Sequence, residues 1–292
     1  MNHDEWLAER FEEHRSHLRA VAYRLLGSVS EADDALQEAW LRLSRSDMSG
    51  VESVGAWLTT VVARVSLNML RARAARREQS LEARFPDPIV ASSDGADPER
   101  QALIADSVGF ALLIVLETLA PAERVAFVLH DTFAVPFEEI ALITERSPAA
   151  ARQLASRARR RVRQAPVPDP DLVRQREVVD AFAAAAQEGD FAALMTLLDP
   201  DIVLREDAGP QRPGESVVVR GARAVAERAA SFAGLTPYAR PVLVNGAVGA
   251  LVAPEGRPFA LMSFTVTDGK LVEIDVLADP LRLNELELSG LV

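Results

Sequence analysis

The stretch FEEIALITERSPAAARQLASRARRRVR, residues 137–163, decides how this chain is read. Phe137 to Ile143 has the spacing of a short amphipathic helix, and Thr144-Glu145-Arg146 makes a turn. Ser147 is placed to cap a second helix, with Pro148 at its first position. That helix turns Ala151, Leu154, Ala155, Ala158 and Val162 inward. It exposes Arg152, Gln153, Ser156, Arg157 and Arg160. Two helices around a tight turn, the second rich in arginine and free of acid, predict a helix-turn-helix whose second helix suits a major groove. Arginine bonds guanine edges and glutamine bonds adenine, and both also bond phosphates. The plain alternative is a helical hairpin with a solubilising arginine face. The cap and the acid-free face weigh against it.

Charge supports the nucleic-acid reading only through its distribution. The net charge is −11. Yet residues 146–163 hold seven arginines and residues 64–77 hold five, neither with an acid, and the one lysine is Lys270. Two basic stretches thus sit on an acidic body, and distribution matters more than the sum. A length of 292 residues suits two or three domains. Hydrophobic residues at 49% can fill real cores, and 26% charged residues exclude a mostly disordered chain. With no cysteine, disulfides and cysteine-ligated zinc are excluded. No apolar run approaches the ~20 residues of a membrane span, and Met1 to Glu5 has no signal-peptide pattern. The expectation is a cytoplasmic protein with no cofactor and no metal.

Outward from the helix-turn-helix, residues 5–80 read as helices. Leu18, Val21, Leu25 and Leu26 recur at helical spacing, and Gly27-Ser28 ends that helix. Ser30 is the expected cap of the next helix, with Asp33 and Asp34 in its first turn. A third helix, from about Val54, buries Trp57, Leu58, Val61 and Val65 and exposes Arg64, Asn68 and Arg71. Residues 83–99 read as a linker, and helices resume from about Glu99. Residues 165–171, with Pro166, Pro168 and Pro170, form a second linker. Beyond it come helical patterns and then strand-like runs divided at Asn245-Gly246, Pro254-Glu255-Gly256 and Asp268-Gly269, an α+β order.

At this point the chain resembles a known family. Asp33-Asp34-Ala35-Leu36-Gln37-Glu38-Ala39-Trp40-Leu41-Arg42, then Ala56 to Arg64 with Asn68, Leu70, Arg71 and Arg76-Arg77-Glu78, is similar to region 2 of bacterial sigma factors. Leu119 to Arg124, Phe137 to Ala141 and Ser156 to Arg159 are similar to region 4. With neither region 1 nor region 3 recognisable, the chain resembles the extracytoplasmic-function (ECF) group. The resemblance implies a promoter-specificity subunit of RNA polymerase. Asp33, Asp34, Gln37 and Glu38 would dock on the β′ clamp helices, and the β flap would be a further partner. The loop Ser46 to Ser53 and Arg64, Asn68 and Arg71 would handle the −10 element of promoter DNA as flipped single-stranded bases. Arg152, Gln153, Ser156, Arg157 and Arg160 would read the −35 element. Most relatives carry aspartate where this chain has Asn68. Trp40 and Trp57 are read as core residues.

Residues 172–292 resemble the SnoaL-like (NTF2-like) cone that one ECF group carries as a fused regulator. The expected fold is multidomain: two all-α sigma domains, a region 2 bundle (1–82) and a region 4 helix-turn-helix (100–164), followed by an α+β cone (172–292). Phe85-Pro86-Asp87-Pro88, Asn245-Gly246-Ala247-Val248-Gly249 and Ala278-Asp279-Pro280-Leu281-Arg282-Leu283 resemble that group's motifs, and Asp207-Ala208-Gly209 is a degraded fourth. Asp207, Asn245, Gly246, Asp279, Pro280 and Leu283 are the expected regulatory contacts. Asp279 to Leu288 would be a clasp, and the cone offers room for a small-molecule ligand. No enzymatic activity is expected, since all four histidines (His3, His14, His17, His130) lie outside the cone. Two rivals stand: a stand-alone helix-turn-helix repressor, and a small-molecule enzyme on a DNA-binding tether, working through Glu206 or through an Asp275 facing the pocket.

Overall fold

The computed structural model describes residues 3–46, 48, 50, 51, 53–77, 85–92, 109–212, 215–286, 288, 290 and 291. The chain divides into two compact units, Met1–Pro86 with Leu113–Gln164, and Asp87–Leu112 with Ala165–Val292.

The first unit opens with α1 (His3–Leu26), α2 (Val29–Leu43) and α3 (Val54–Arg77). Ser28, one turn before Asp33, caps α2: its Oγ accepts the Glu31 N–H. The expected cap, Ser30, lies inside the helix with its hydroxyl 3.0 Å from that of Ser28. Gly27 leaves α1 at φ +69°, where a side chain would also meet Glu117 and Arg124. Leu18, Leu25, Leu36, Ala39, Leu58 and Val62 fill the bundle core. Trp40 is half-buried with its ring edge-on to Phe11 at 5.3 Å, and Trp57 is half-buried too.

The other half of this unit holds α4 (Phe110–Glu117) from Leu113 onward, α5 (Pro121–Phe127), a π-helical turn (Val128–Thr132), α6 (Phe137–Thr144) and α7 (Pro148–Val162). α6 ends where Glu145 takes a left-handed conformation, φ 57°. Ser147 caps α7 through the Ala150 N–H, with Pro148 at its start, as the sequence predicts. The two halves are joined by buried charge. Arg124, 1% exposed, donates Nη1 to Glu117 at 2.6 Å and its Nε to the Arg24 carbonyl. Arg73 donates to Glu117 at 3.3 Å, to the Leu26 carbonyl at 3.0 Å and to Glu31. The Arg24 guanidinium covers the Phe133 ring, which meets His17 edge-on.

The second unit, among the described residues, is a seven-stranded sheet faced by helices. The strands are β1 (Val90–Ser92), β2 (Leu198–Asp207), β3 (Val217–Arg220), β4 (Ala239–Val244), β5 (Ala247–Val252), β6 (Ala260–Thr267) and β7 (Lys270–Leu277), in the order β1-β4-β5-β6-β7-β2-β3. Among the described residues only the β2–β7 pair is parallel. α8 (Leu172–Glu188), α9 (Phe191–Leu197) and α10 (Ala222–Ser231) pack on one face through Val179, Phe182, Leu194, Val225, Phe264 and Ile274, and α11 (Pro280–Glu285) follows β7. Helical elements first and a mixed sheet faced by helices after them are the multidomain, α+β order that the sequence leads one to expect.

One reading is corrected. Within 83–99, taken as a plain linker, Val90–Ser92 forms β1 and pairs antiparallel with Val242–Val244. Three adjacent β-prone or small residues complete the sheet edge there, so the second unit starts at Asp87 rather than 172. The rest of that linker from residue 93, the helix start at Glu99, and Asp47, Ser49, Glu52 and Glu78 lie outside the described residues.

Candidate nucleic-acid interface

On α7 the buried Ala151, Leu154, Ala155 and Ala158 anchor one face. At about 100° per residue, Gln153, Ser156 and Arg160 stand opposite as the crest, and all three are exposed. Arg152 and Arg159 lie on one flank, Arg157 and Arg161 on the other. All four flank arginines are held by acids of neighbouring elements. Arg157 Nε donates to Glu123 at 2.8 Å, and Arg161 Nη1 donates to the same carboxylate at 3.4 Å. Arg159 Nε donates to Asp131 at 2.6 Å. Arg152 Nη2 donates to Glu138 at 2.9 Å and lies 5.4 Å from the Phe137 ring, itself stacked on His130. Sequence reading proposed Arg152 and Arg157 but gave no role to Glu123, Asp131 or Glu138. Their acidity was visible, but their reach to α7 depends on packing.

On α3 the expected Arg64, Asn68 and Arg71 share one exposed face by their spacing. Arg64 Nη2 donates to the Leu142 carbonyl of α6 at 3.3 Å. On α2, Asp33, Asp34 and Gln37 are exposed and Glu38 half-buried. Arg19 forks onto Asp33 at 2.8 and 3.0 Å, and Arg42 holds Glu38 at 3.0 Å. The acidic face thus keeps Asp34 and Gln37 clear of those pairs.

In the second unit one of the expected contacts, Asp207, meets a residue left out of that set, Arg282. Its Nη1 donates to Asp207 at 2.7 Å and its Nη2 to Asp87 at 2.5 Å, with only 7% of its side chain exposed. Asp279 caps α11 through the Leu281 N–H, Pro280 starts that helix, and Leu283 is buried in it. Gly209 passes so close to the Asp279 carboxylate that a Cβ there would overlap it. Asn245, at φ 50° beside Gly246 at φ 81°, forms the β4–β5 turn. It also reaches the linker, its Oδ1 accepting the Ile89 N–H at 3.1 Å and its own N–H donating to Ile89 O at 2.8 Å. Arg282 and Asp87 both lie inside quoted motifs, but nothing local signals that they meet.

Asp275 does not lie on the helix-covered face of the sheet. Ile274 and Val276 pack into the helix-side core, so alternation turns Asp275 to the other face. There it takes Arg205 Nη1 at 2.9 Å, beside Glu273 at 2.6 Å from Arg205 Nη2. Burial pushes its carboxyl up to about 7, against the pull of Arg205. The helix-side face instead carries Glu206, bonded by Arg228 at 2.6 Å, with the Arg228 guanidinium 4.7 Å from the Phe232 ring. Glu206, Val276, Met262 and Ala250 form a half-buried row across the strands. Buried rows flank it, through Phe264 and Ile274 on one side and Val252 and Ala260 on the other. No helix among the described residues is long and apolar enough to cross a membrane.

Comparison with known proteins agrees with this geometry. Residues 10–76 match the family model of Sigma-70 region 2, and residues 110–162 that of Sigma-70, region 4. The chain is 41% identical over 287 residues to the ECF RNA polymerase sigma factor SigJ of Mycobacterium tuberculosis, covering 92% of this chain and 91% of that protein. It is 35% identical over 290 residues to the probable ECF RNA polymerase sigma factor SigI of the same species, covering 95% of each. The crystal structure of M. tuberculosis SigJ superposes with a TM-score of 0.79 at 38% identity, over 97% of this chain and 100% of that one. The region 2 bundle, the region 4 helix-turn-helix and the fused cone are thus found together in one relative, and the chain belongs to the ECF RNA polymerase sigma factors.

Proposed function

We propose that this chain is a promoter-specificity subunit of RNA polymerase whose third domain regulates it by holding the linker between its two promoter-binding regions. The exposed acidic side of α2, with Asp34 and Gln37 at its centre, meets the polymerase clamp. Arg64, Asn68 and Arg71 handle the −10 element, and α7 handles the −35 element. An acidic body fits this division, since promoter affinity then comes mainly from the polymerase complex.

One observation carries the regulatory part: residues 87–92 are bonded into the cone. β1 extends its sheet, Asn245 bonds Ile89 twice, and Arg282 ties Asp87 to Asp207. The linker is thereby fixed along six residues, which limits the paths open to the chain between region 2 and region 4. A segment tethered beside its own binding edge is captured at high effective concentration. A small-molecule ligand on the half-buried row beside Glu206 and Arg228 would act on this capture only through different affinities for its held and released forms.

The test is transcription in vitro with purified core RNA polymerase, comparing the full chain with Arg282→Ala and Asp87→Ala. Initiation at a defined promoter by the full chain, with an altered yield for both variants, supports the reading, and the direction of change gives the sign of control. Equal yields from all three forms would remove the linker from the regulation. No core binding by any form would remove the polymerase reading itself.

A further inference from the structure

We propose that α7 divides its side chains between two tasks. The crest residues Gln153, Ser156 and Arg160 read base edges. The flank arginines Arg157 and Arg159, with Arg152 and Arg161 beside them, grip phosphates. Glu123, Asp131 and Glu138 are positioning residues that aim that grip. The proposal rests on the promoter-binding reading of α7 and replaces the uniform role given to its five exposed side chains.

The geometry of insertion supplies the first reason. A helix about 10–12 Å across fills a major groove about 12 Å wide. Its crest then meets the base edges, and its two flanks meet the phosphate-lined walls. The buried alanines fix which side is the crest.

The hydrogen bonds supply the second. Gln153, Ser156 and Arg160 make no side-chain hydrogen bond or ion pair among the described residues. They break nothing when they bond a base. The flanks are the opposite. Arg157 is held at Nε by Glu123 and Arg159 at Nε by Asp131, one on each flank. A guanidinium held at Nε keeps its two terminal nitrogens pointing outward as a fork, the donor pair that matches phosphate oxygens. That bond can persist when the fork is filled. Glu123 is suited to the task because it is itself 7% exposed, so its carboxylate offers a fixed acceptor to Arg157 and Arg161. Arg152 differs: Glu138 takes its Nη2, a nitrogen of the fork itself, and the Phe137 ring bounds its guanidinium, so its grip on phosphate exchanges one bond for another.

The experiment uses full-length protein with core RNA polymerase on a promoter library whose −35 hexamer is randomised. The enriched hexamer and the salt dependence of binding are read for each variant. Arg157→Ala and Glu123→Ala should weaken binding across all hexamers without changing the preferred one. For Arg157→Ala the slope of log affinity against log salt should fall by about one. Glu123→Gln, whose amide oxygen still accepts from Nε, should restore most of the loss. Glu123→Ala placed on Arg157→Ala should add only the smaller loss carried by Arg161, its second partner. Gln153→Ala and Arg160→Ala should instead lose about tenfold or more in discrimination at one or two positions. A changed preferred hexamer in Arg157→Ala, or a uniform loss in both crest variants, overturns the division. No enriched hexamer with the unmutated chain overturns the promoter reading beneath it.

Discussion

Arginine meets carboxylate in two contrasting settings in this molecule. Arg282 lies between Asp87 and Asp207 with 7% of its side chain exposed. Arg157 lies on Glu123 with 54% exposed. The groups are the same and the distances are alike, but the surroundings differ. Near water the attraction between unit charges is a small fraction of its value in a dry interior, and the side chain still loses freedom on pairing. An exposed pair therefore orients a donor without holding the fold together. A buried pair works the other way: each partner has lost its water, so removing one leaves the other uncompensated. The chain uses the buried kind where a segment must be held, and the exposed kind where a fork must be aimed.

Four measurements bear on this contrast, beginning with the largest effect. Arg282→Ala leaves two carboxylates facing each other in a closed site, and should lower the stability of the second unit by ~3–5 kcal/mol. Denaturant unfolding measures this, with faster protease cutting near residues 85–92 as a second readout. A loss below ~1 kcal/mol would make the Arg282 ion pairs no different from a surface pair. Glu117→Ala comes next. It strips Arg124 and Arg73 of a shared acceptor at the joint of the first unit, and should cost ~2–3 kcal/mol in the same assay.

The third concerns pH. The Asp275 carboxyl is raised in the folded chain to about 7 from its usual 3.8, so folding favours its protonated form. Its contribution to stability is full below the unfolded value and is lost as pH rises through about 7. The melting temperature of the second unit should fall over that interval, and Asp275→Asn should flatten the fall. An unchanged pH profile would show that Arg205 keeps the carboxylate ionised throughout. The smallest effect belongs to the exposed flank. Glu138→Gln should alter stability by less than ~0.5 kcal/mol, and a larger change would mean that the Glu138–Arg152 pair supports the fold as well as the side chain's aim.

The two settings were unequally legible in the sequence. The helix-turn-helix could be read because its signals are local. Ser147-Pro148 starts a helix wherever it is placed, and alanines three and four apart mark a buried face on the chain itself. Arg64, Asn68 and Arg71 share a face for the same reason. The strand runs of the cone were marked by turn residues such as Asn245-Gly246. The pairing of Asp87 with Arg282 left no such trace. Asp87 and Arg282 stand 195 residues apart, and no periodicity connects them. β1 was hidden because three residues are too few to show an alternation, and the edge they complete lies more than a hundred residues downstream. Asp275 was misplaced because alternation tells which residues share a face but not which face the helices cover.

By itself, then, the sequence determined the family, the order of helices and strands, and the helices that carry the exposed arginine faces. All of these follow from patterns within a few turns of chain, where the backbone fixes which residues are neighbours. Only the tertiary structure decided that residues 90–92 join the sheet of the second unit, that Arg282 bonds Asp87, and that carboxylates of three other segments pair with the arginines of α7. Those contacts join residues that are neighbours only after the chain has packed. Their strength depends on how far packing excludes water, a quantity no stretch of sequence contains.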